Sequence, residues 1–221
     1  MPDPAEHYHE SADGADLTAI ARSAVGALGC CDDAPLARAL LRELANGEPI
    51  TDRALAAATG RKEGQVSAIL ARWPNVERDA QRRVVAFSGL TLRPTAHRVE
   101  VAGRELFAWC AWDTLFLPAL LEQPARVQSR CPVTDTDVRL TVEPDGVRER
   151  NPEALRVSLP RPGAVSTEDV TGSFCCHVHF LAGTVAAELW LAEHRGGAAV
   201  TLDEAFELGR LATQPLRAGA P

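Results

Sequence analysis

Val84-Val85-Ala86-Phe87-Ser88-Gly89-Leu90-Thr91-Leu92 reads as a β-hairpin: two short apolar, β-branched runs joined at a Ser-Gly pair. Upstream, Leu36, Ala39, Leu40 and Leu44 fall at helical spacing and stop at Asn46-Gly47. Thr51 can cap a second helix running through Ala58 and closed by Gly60, and a third fits Gln65 to Trp73, stopped by Pro74. Three short helices and a hairpin make a winged-helix pattern. Before it, Leu17, Ile20, Ala21, Val25 and Leu28 predict one more helix. The reading divides the chain into a mobile acidic tail at 1–15, a winged-helix-like unit at 16–92 and a second domain at 93–221.

Downstream the pattern is mixed. Val99-Glu100-Val101 and Arg104-Glu105-Leu106-Phe107 flank Gly103 as a second hairpin, and Thr114 to Leu121 reads as a buried helix interrupted at Pro118. Ala125 to Cys131, Val138 to Val142, Leu155 to Leu159 and Phe174 to Phe180 are strand candidates; Ala186 to His194 and Leu202 to Leu211 are helices. Strands and helices without regular alternation predict an α+β fold with a mixed, mainly antiparallel sheet and flanking helices.

A winged helix raises the question of DNA. Residues 36–92 hold nine basic against six acidic side chains, a balance of only +3, and the third helix offers Arg61 and Lys62 at its start and Arg72 at its end. A major-groove reader presents several polar or basic side chains along one face, so the segment argues against nucleic-acid binding. Most of the net charge of −7 comes from residues 1–35, where seven acids face one arginine. No run approaches the ~20 apolar residues that cross a bilayer, and the N-terminus, rich in Asp, Glu and His, lacks the parts of a secretory signal. A cytoplasmic protein without membrane contact is expected, and there the six cysteines stay reduced, as core residues, metal ligands or nucleophiles.

Two thiol clusters carry the chemistry. Cys110 and Asp113 are three apart where strand gives way to helix, so they share a face and can touch one small ligand. A helix N-terminus favours the thiolate over a thiol whose ordinary pKa is about 8.5. A charged Asp113 opposes that, and the pair is expected to share a proton. A buried cysteine beside a helix-capping aspartate explains this segment equally well. In Phe174-Cys175-Cys176-His177-Val178-His179-Phe180, strand parity places Cys175, His177 and His179 on a polar face and Cys176 on an apolar one. Cys175 is thereby assigned to the chemistry and Cys176 to the core. No C-x-x-C pair supports a zinc site, which leaves His177 and His179 at a rim or in hydrogen bonds. Cys131 reads as structural, and Cys30-Cys31 as incidental loop thiols.

Phe107-Ala108-Trp109-Cys110-Ala111-Trp112-Asp113-Thr114-Leu115 with Pro118-Ala119-Leu120 resembles the central motif of the organomercurial (alkylmercury) lyases. Ser173-Phe174-Cys175-Cys176-His177-Val178-His179-Phe180 resembles their second motif, and Glu204-Ala205-Phe206-Glu207-Leu208-Gly209 also fits. The resemblance is clearest over about 100–212. It implies that Cys110, Asp113 and Cys175 are catalytic and hold mercury as substrate and product. The reaction implied is protonolysis of the carbon–mercury bond of alkyl- and arylmercury compounds to a hydrocarbon and Hg(II), in mercury detoxification. No resident cofactor is implied; cellular thiols and a mercuric reductase would accept the Hg(II). Trp112 departs from the family pattern, where an aliphatic residue, usually leucine, is expected. A reading from another class is a thiol-based, mercury-responsive DNA-binding sensor, for which Asp113 has no use.

Overall fold

The computed structural model describes residues 32–217 apart from 75, 161–165 and 167–168. The expected tail, the helix around Leu17 to Leu28, and Cys30-Cys31 lie outside the described residues.

Three helices open the described chain. In α1 (Ala34–Leu44) the Asp33 side chain accepts the Leu36 N–H at 3.1 Å, and the face formed by Leu36, Ala37, Leu40, Leu41 and Leu44 is buried. In α2 (Asp52–Thr59) Thr51 accepts the Ala54 N–H at 3.1 Å, and Gly60 ends the helix at φ +66. The third, α3 (Glu63–Leu70), starts two residues before the expected Gln65 and stops at Leu70. Trp73, expected to be its last residue, instead stacks on Phe87 with ring centroids 5.2 Å apart. The two arginines that flank this helix are already engaged: Arg61 forks onto Asp33 and Arg72 reaches Asp32 at 2.8 Å. Those two aspartates cancel much of the positive charge that a DNA-reading helix would need.

The hairpin of β2 (Val84–Phe87) and β3 (Leu90–Thr91) forms as its sequence predicts, with Phe87 opposite Leu90 and Ala86 opposite Thr91. Ser88 at φ +49 and Gly89 at φ +92 give the double left-handed turn that suits the twist of a tight hairpin. The hairpin is not a free wing. With β1 (Val76–Arg78), β4 (His97–Val101), β5 (Arg104–Ala108), β6 (Ala125–Arg130), β7 (Asp137–Glu143) and β8 (Gly146–Asn151) it makes one eight-stranded antiparallel sheet, ordered β1-β2-β3-β5-β4-β6-β7-β8. A smaller sheet places β9 (Arg156–Leu159) between β10 (Phe180–Leu181) and β11 (Ala198–Thr201). The fold is α+β with a mainly antiparallel sheet and flanking helices, as expected.

Helix α4 (Asp113–Leu121) is buried at every position except Ala119, which explains its apolar sequence all round and its tolerance of Pro118. Over it lies α7 (Leu202–Ala212), which a capping box between Thr201 and Glu204 starts. Gly209 permits the close approach: a Cβ there would lie 3.2 Å from the Phe116 Cβ and 3.3 Å from the Trp112 Nε1. The remaining helices are α5 (Val170–Ser173), α6 (Thr184–Glu193) and α8 (Gln214–Arg217). No helix among the described residues is long and apolar enough to cross a membrane.

One predicted strand is corrected. Phe174 to Phe180 is not extended: α5 leads into a 3₁₀ turn at Cys175–His177, and only Phe180 and Leu181 enter a sheet. Asp169 accepts the Gly172 N–H at 2.8 Å and starts a helical turn, whose last carbonyls the following residues then use.

Candidate active site

Cys110 and Asp113 stand on the short link between β5 and α4. The link is held from three sides. Trp109 N–H donates to the Gly89 carbonyl at 2.9 Å, Ala111 N–H donates to the Val178 carbonyl at 3.2 Å, and Thr114 Oγ1 closes the turn on the Ala111 carbonyl at 2.7 Å. The Val178 contact joins the first thiol segment to the second, where the Val178 N–H in turn donates to the Cys175 carbonyl at 3.1 Å. Residues some sixty positions apart are thus brought together by main-chain hydrogen bonds.

The result is a buried triad. The Cys110 and Cys175 sulfurs and one Asp113 carboxylate oxygen all lie within 4.8 Å of one another, close enough for a single ion to touch all three. Cys110 is 0%, Asp113 2% and Cys175 4% exposed, so the group is almost free of bulk water. Asp113 Oδ2 accepts the Cys110 N–H at 2.8 Å, which fixes the carboxylate beside its partner thiol. Neither His177 nor His179 belongs to this triad.

Burial decides the proton inventory. It pushes the Cys110 thiol well above its ordinary range, and the Cys175 sulfur and Asp113 charge add to the rise. The helix N-terminus expected to create a thiolate is outweighed by the loss of water. Cys175 gains from a hydrogen bond with Cys110, yet burial and Asp113 leave it raised. Asp113 itself is pushed up to about 6 by burial, against two hydrogen bonds from Cys110 that favour its charged form. Burial thus favours the protonated form of both Cys110 and Asp113, side by side.

Cys176 corrects the parity assignment. It is exposed rather than in the core, and its thiol donates to the Gly172 carbonyl at 2.9 Å. Cys131 is buried, as its structural reading expected, with the Ala182 N–H directed at its sulfur at 3.4 Å. Beneath the triad Trp112 meets Phe116 and Phe174 edge to face, at 5.4 and 5.7 Å between centroids, and donates its indole N–H to the Ala205 carbonyl at 2.8 Å. Trp112 is only 1% exposed, so the departure from an aliphatic residue is absorbed as core packing. Trp112→Leu is expected to cost about 2–4 kcal/mol through the lost volume and the lost indole hydrogen bond, measured as a lower denaturation midpoint.

What sequence reasoning missed is that the turn at Ser88-Gly89 reaches the site. The Gly89 backbone lies directly against Asp113: a Cβ there would fall 2.5 Å from Oδ1. The pairing of Ser with Gly signalled a turn but carried no sign that it touches the thiol segment.

Comparison with known proteins identifies the family. The family model for alkylmercury lyase matches residues 90–214, and that for the helix-turn-helix domain of alkylmercury lyase matches residues 18–88. The alkylmercury lyase of Staphylococcus epidermidis is 44% identical over 175 residues, 79% of this chain and 80% of that protein. The alkylmercury lyase of Streptomyces lividans is 44% identical over 182 residues, 82% of this chain and 83% of the relative. The crystal structure of the mercury-bound form of MerB2 superposes with a TM-score of 0.73 at 26% identity, covering 90% of this chain and 99% of its own. With the two family models matched one after the other along residues 18–88 and 90–214, and such relatives across about four-fifths of its length, the chain belongs to the alkylmercury lyase family.

Proposed function

We propose that this protein, an organomercurial lyase by family, cleaves R–Hg⁺ by protonolysis, with Cys110, Cys175 and Asp113 as its catalytic residues. The convergence of two thiols and one carboxylate within 4.8 Å, all buried, is the observation that carries the reading. Mercury is soft and prefers sulfur to oxygen or nitrogen, so the two cysteines take it in turn. As Cys110 sulfur bonds to mercury its thiol proton passes to Asp113. When Cys175 joins, two sulfurs push electron density through mercury onto carbon. Asp113 then gives its proton to that carbon as general acid, the carbon–mercury bond breaks, and RH leaves. Two thiol protons are given up in all: one ends on the hydrocarbon, one is released, and Hg(II) stays bridged between the sulfurs.

The carboxylate's raised affinity for its proton suits this task. At about 6 it lies close enough to neutrality to accept from a thiol and then donate. No resident cofactor enters the scheme. Cellular thiols would remove the bound Hg(II) and hand it to a mercuric reductase, in the cytoplasm. Residues 93–221 would carry the catalytic side chains and 16–92 would support them. The DNA-binding sensor reading is set aside because Arg61 and Arg72 are already paired and a sensor has no use for the buried Asp113.

Incubation with phenylmercury and excess small thiol should release benzene continuously. No benzene from wild type, or full rate in Cys110→Ser and Asp113→Ala, would show the mechanism to be wrong.

A further inference from the structure

We propose that Gly89 is a positioning residue for the general acid: the β2–β3 turn seats a bare Cα against the Asp113 carboxylate and so fixes where the proton is held. The inference rests on the protonolysis reading above. Its ground is a contrast among glycines. Gly47, Gly60 and Gly103 all have positive φ, and a Cβ on any of them would meet nothing within 4 Å; their role is conformational. Gly89, at φ +92, would place a Cβ 2.5 Å from the Asp113 Oδ1, 2.6 Å from Cγ and 2.9 Å from Cβ. These contacts are shorter than any side chain tolerates, so glycine is required there twice over.

The turn is also anchored. The Gly89 carbonyl takes the Trp109 N–H at 2.9 Å, Phe87 pairs with Leu90 across the turn, and β3 is bonded to β5 directly before the thiol. The carboxylate is therefore clamped, with the Cys110 N–H on Oδ2 and the glycine backbone against the other oxygen. Water is kept off the second oxygen by backbone rather than by a side chain that could swing away. The hairpin that looked like the wing of a DNA-binding unit is, on this view, one wall of the active site.

Gly89→Ala and Gly103→Ala form the test, since Gly103 at φ +74 incurs the same left-handed strain in open space. Benzene release from phenylmercury is followed with excess thiol, and in a separate arm each protein is loaded with HgCl2 without added thiol and the Hg(II) retained per chain is measured after gel filtration. Gly89→Ala should retain as much Hg(II) as wild type while benzene release falls about a hundredfold or more. Gly103→Ala should keep the wild-type rate and Hg(II) retention. Equal behaviour of the two variants, or loss of Hg(II) capture together with turnover in Gly89→Ala, would overturn the proposal. The packing is read separately from denaturation midpoints: Gly89→Ala should lower the midpoint less in an Asp113→Ala background than in wild type, and equal losses overturn it. Absence of benzene from wild type would instead fault the functional reading, and the midpoint comparison would still decide the contact.

Discussion

Asp113→Asn is expected to stop hydrocarbon release while leaving mercury capture in place, and to make the protein more stable above neutral pH. The amide keeps the size of the carboxyl group and its oxygen can still accept the Cys110 N–H, which Asp113 Oδ2 accepts at 2.8 Å. It cannot take up a thiol proton and pass it on. A general acid contributes about 10²–10⁴ in rate, and the loss should fall in that range. The stability gain follows from proton linkage. Asp113 titrates at about 6 folded against an ordinary 3.8, so folding holds its proton more tightly. That advantage is complete below pH 4 and is lost as pH rises through 6, where a charged carboxylate must remain buried. The shift corresponds to about 3 kcal/mol. Denaturation of both proteins at pH 4.5 and pH 8 should therefore show Asp113→Asn gaining about 1–3 kcal/mol over wild type at the higher pH and much less at the lower. An equal difference at both values would mean that Asp113 is not buried in its charged form.

The thiols should fail in a different way. Cys110→Ser and Cys175→Ser each leave one sulfur, enough to hold phenylmercury but not to make the carbon basic. Each variant is expected to bind phenylmercury one to one, seen by intact mass, and to release no benzene over many turnover times of wild type. Groups that act as a unit lose nearly everything on the first deletion, so the double variant should be no slower in cleavage than either single one, though it should no longer hold phenylmercury at this site. Cys176→Ser should leave the rate unchanged, because that thiol is exposed and occupied with the Gly172 carbonyl. A Cys175→Ser protein that still freed benzene would remove the second sulfur from the mechanism.

Local signals carried much of the fold. Thr51, Gly60 and the Ser88-Gly89 pair act over a few residues, and the helices and hairpin they mark lie where the sequence put them. Strand β8 was not legible because four of its six residues are polar or charged, as suits an edge strand half in solvent. The second thiol segment shows a correct choice made on the wrong geometry. A strand turns neighbours by 180° and a 3₁₀ turn by about 120°. Either way Cys175 and Cys176 part company, but only the structure shows that Cys176 goes to solvent. How strongly Cys110 holds its proton was not legible, because a helix terminus is visible in sequence and the depth of its burial is not.

The eight-stranded sheet also bears on how such a chain can be divided. A fragment beginning after Leu92 would retain all three side chains of the proposed site, yet β5 would lose β3, its pairing partner at Phe107 and Ala108, and become an edge strand. An unpaired edge of this kind recruits other chains, so the fragment should aggregate. The two halves of the chain therefore depend on each other to keep this sheet edge covered.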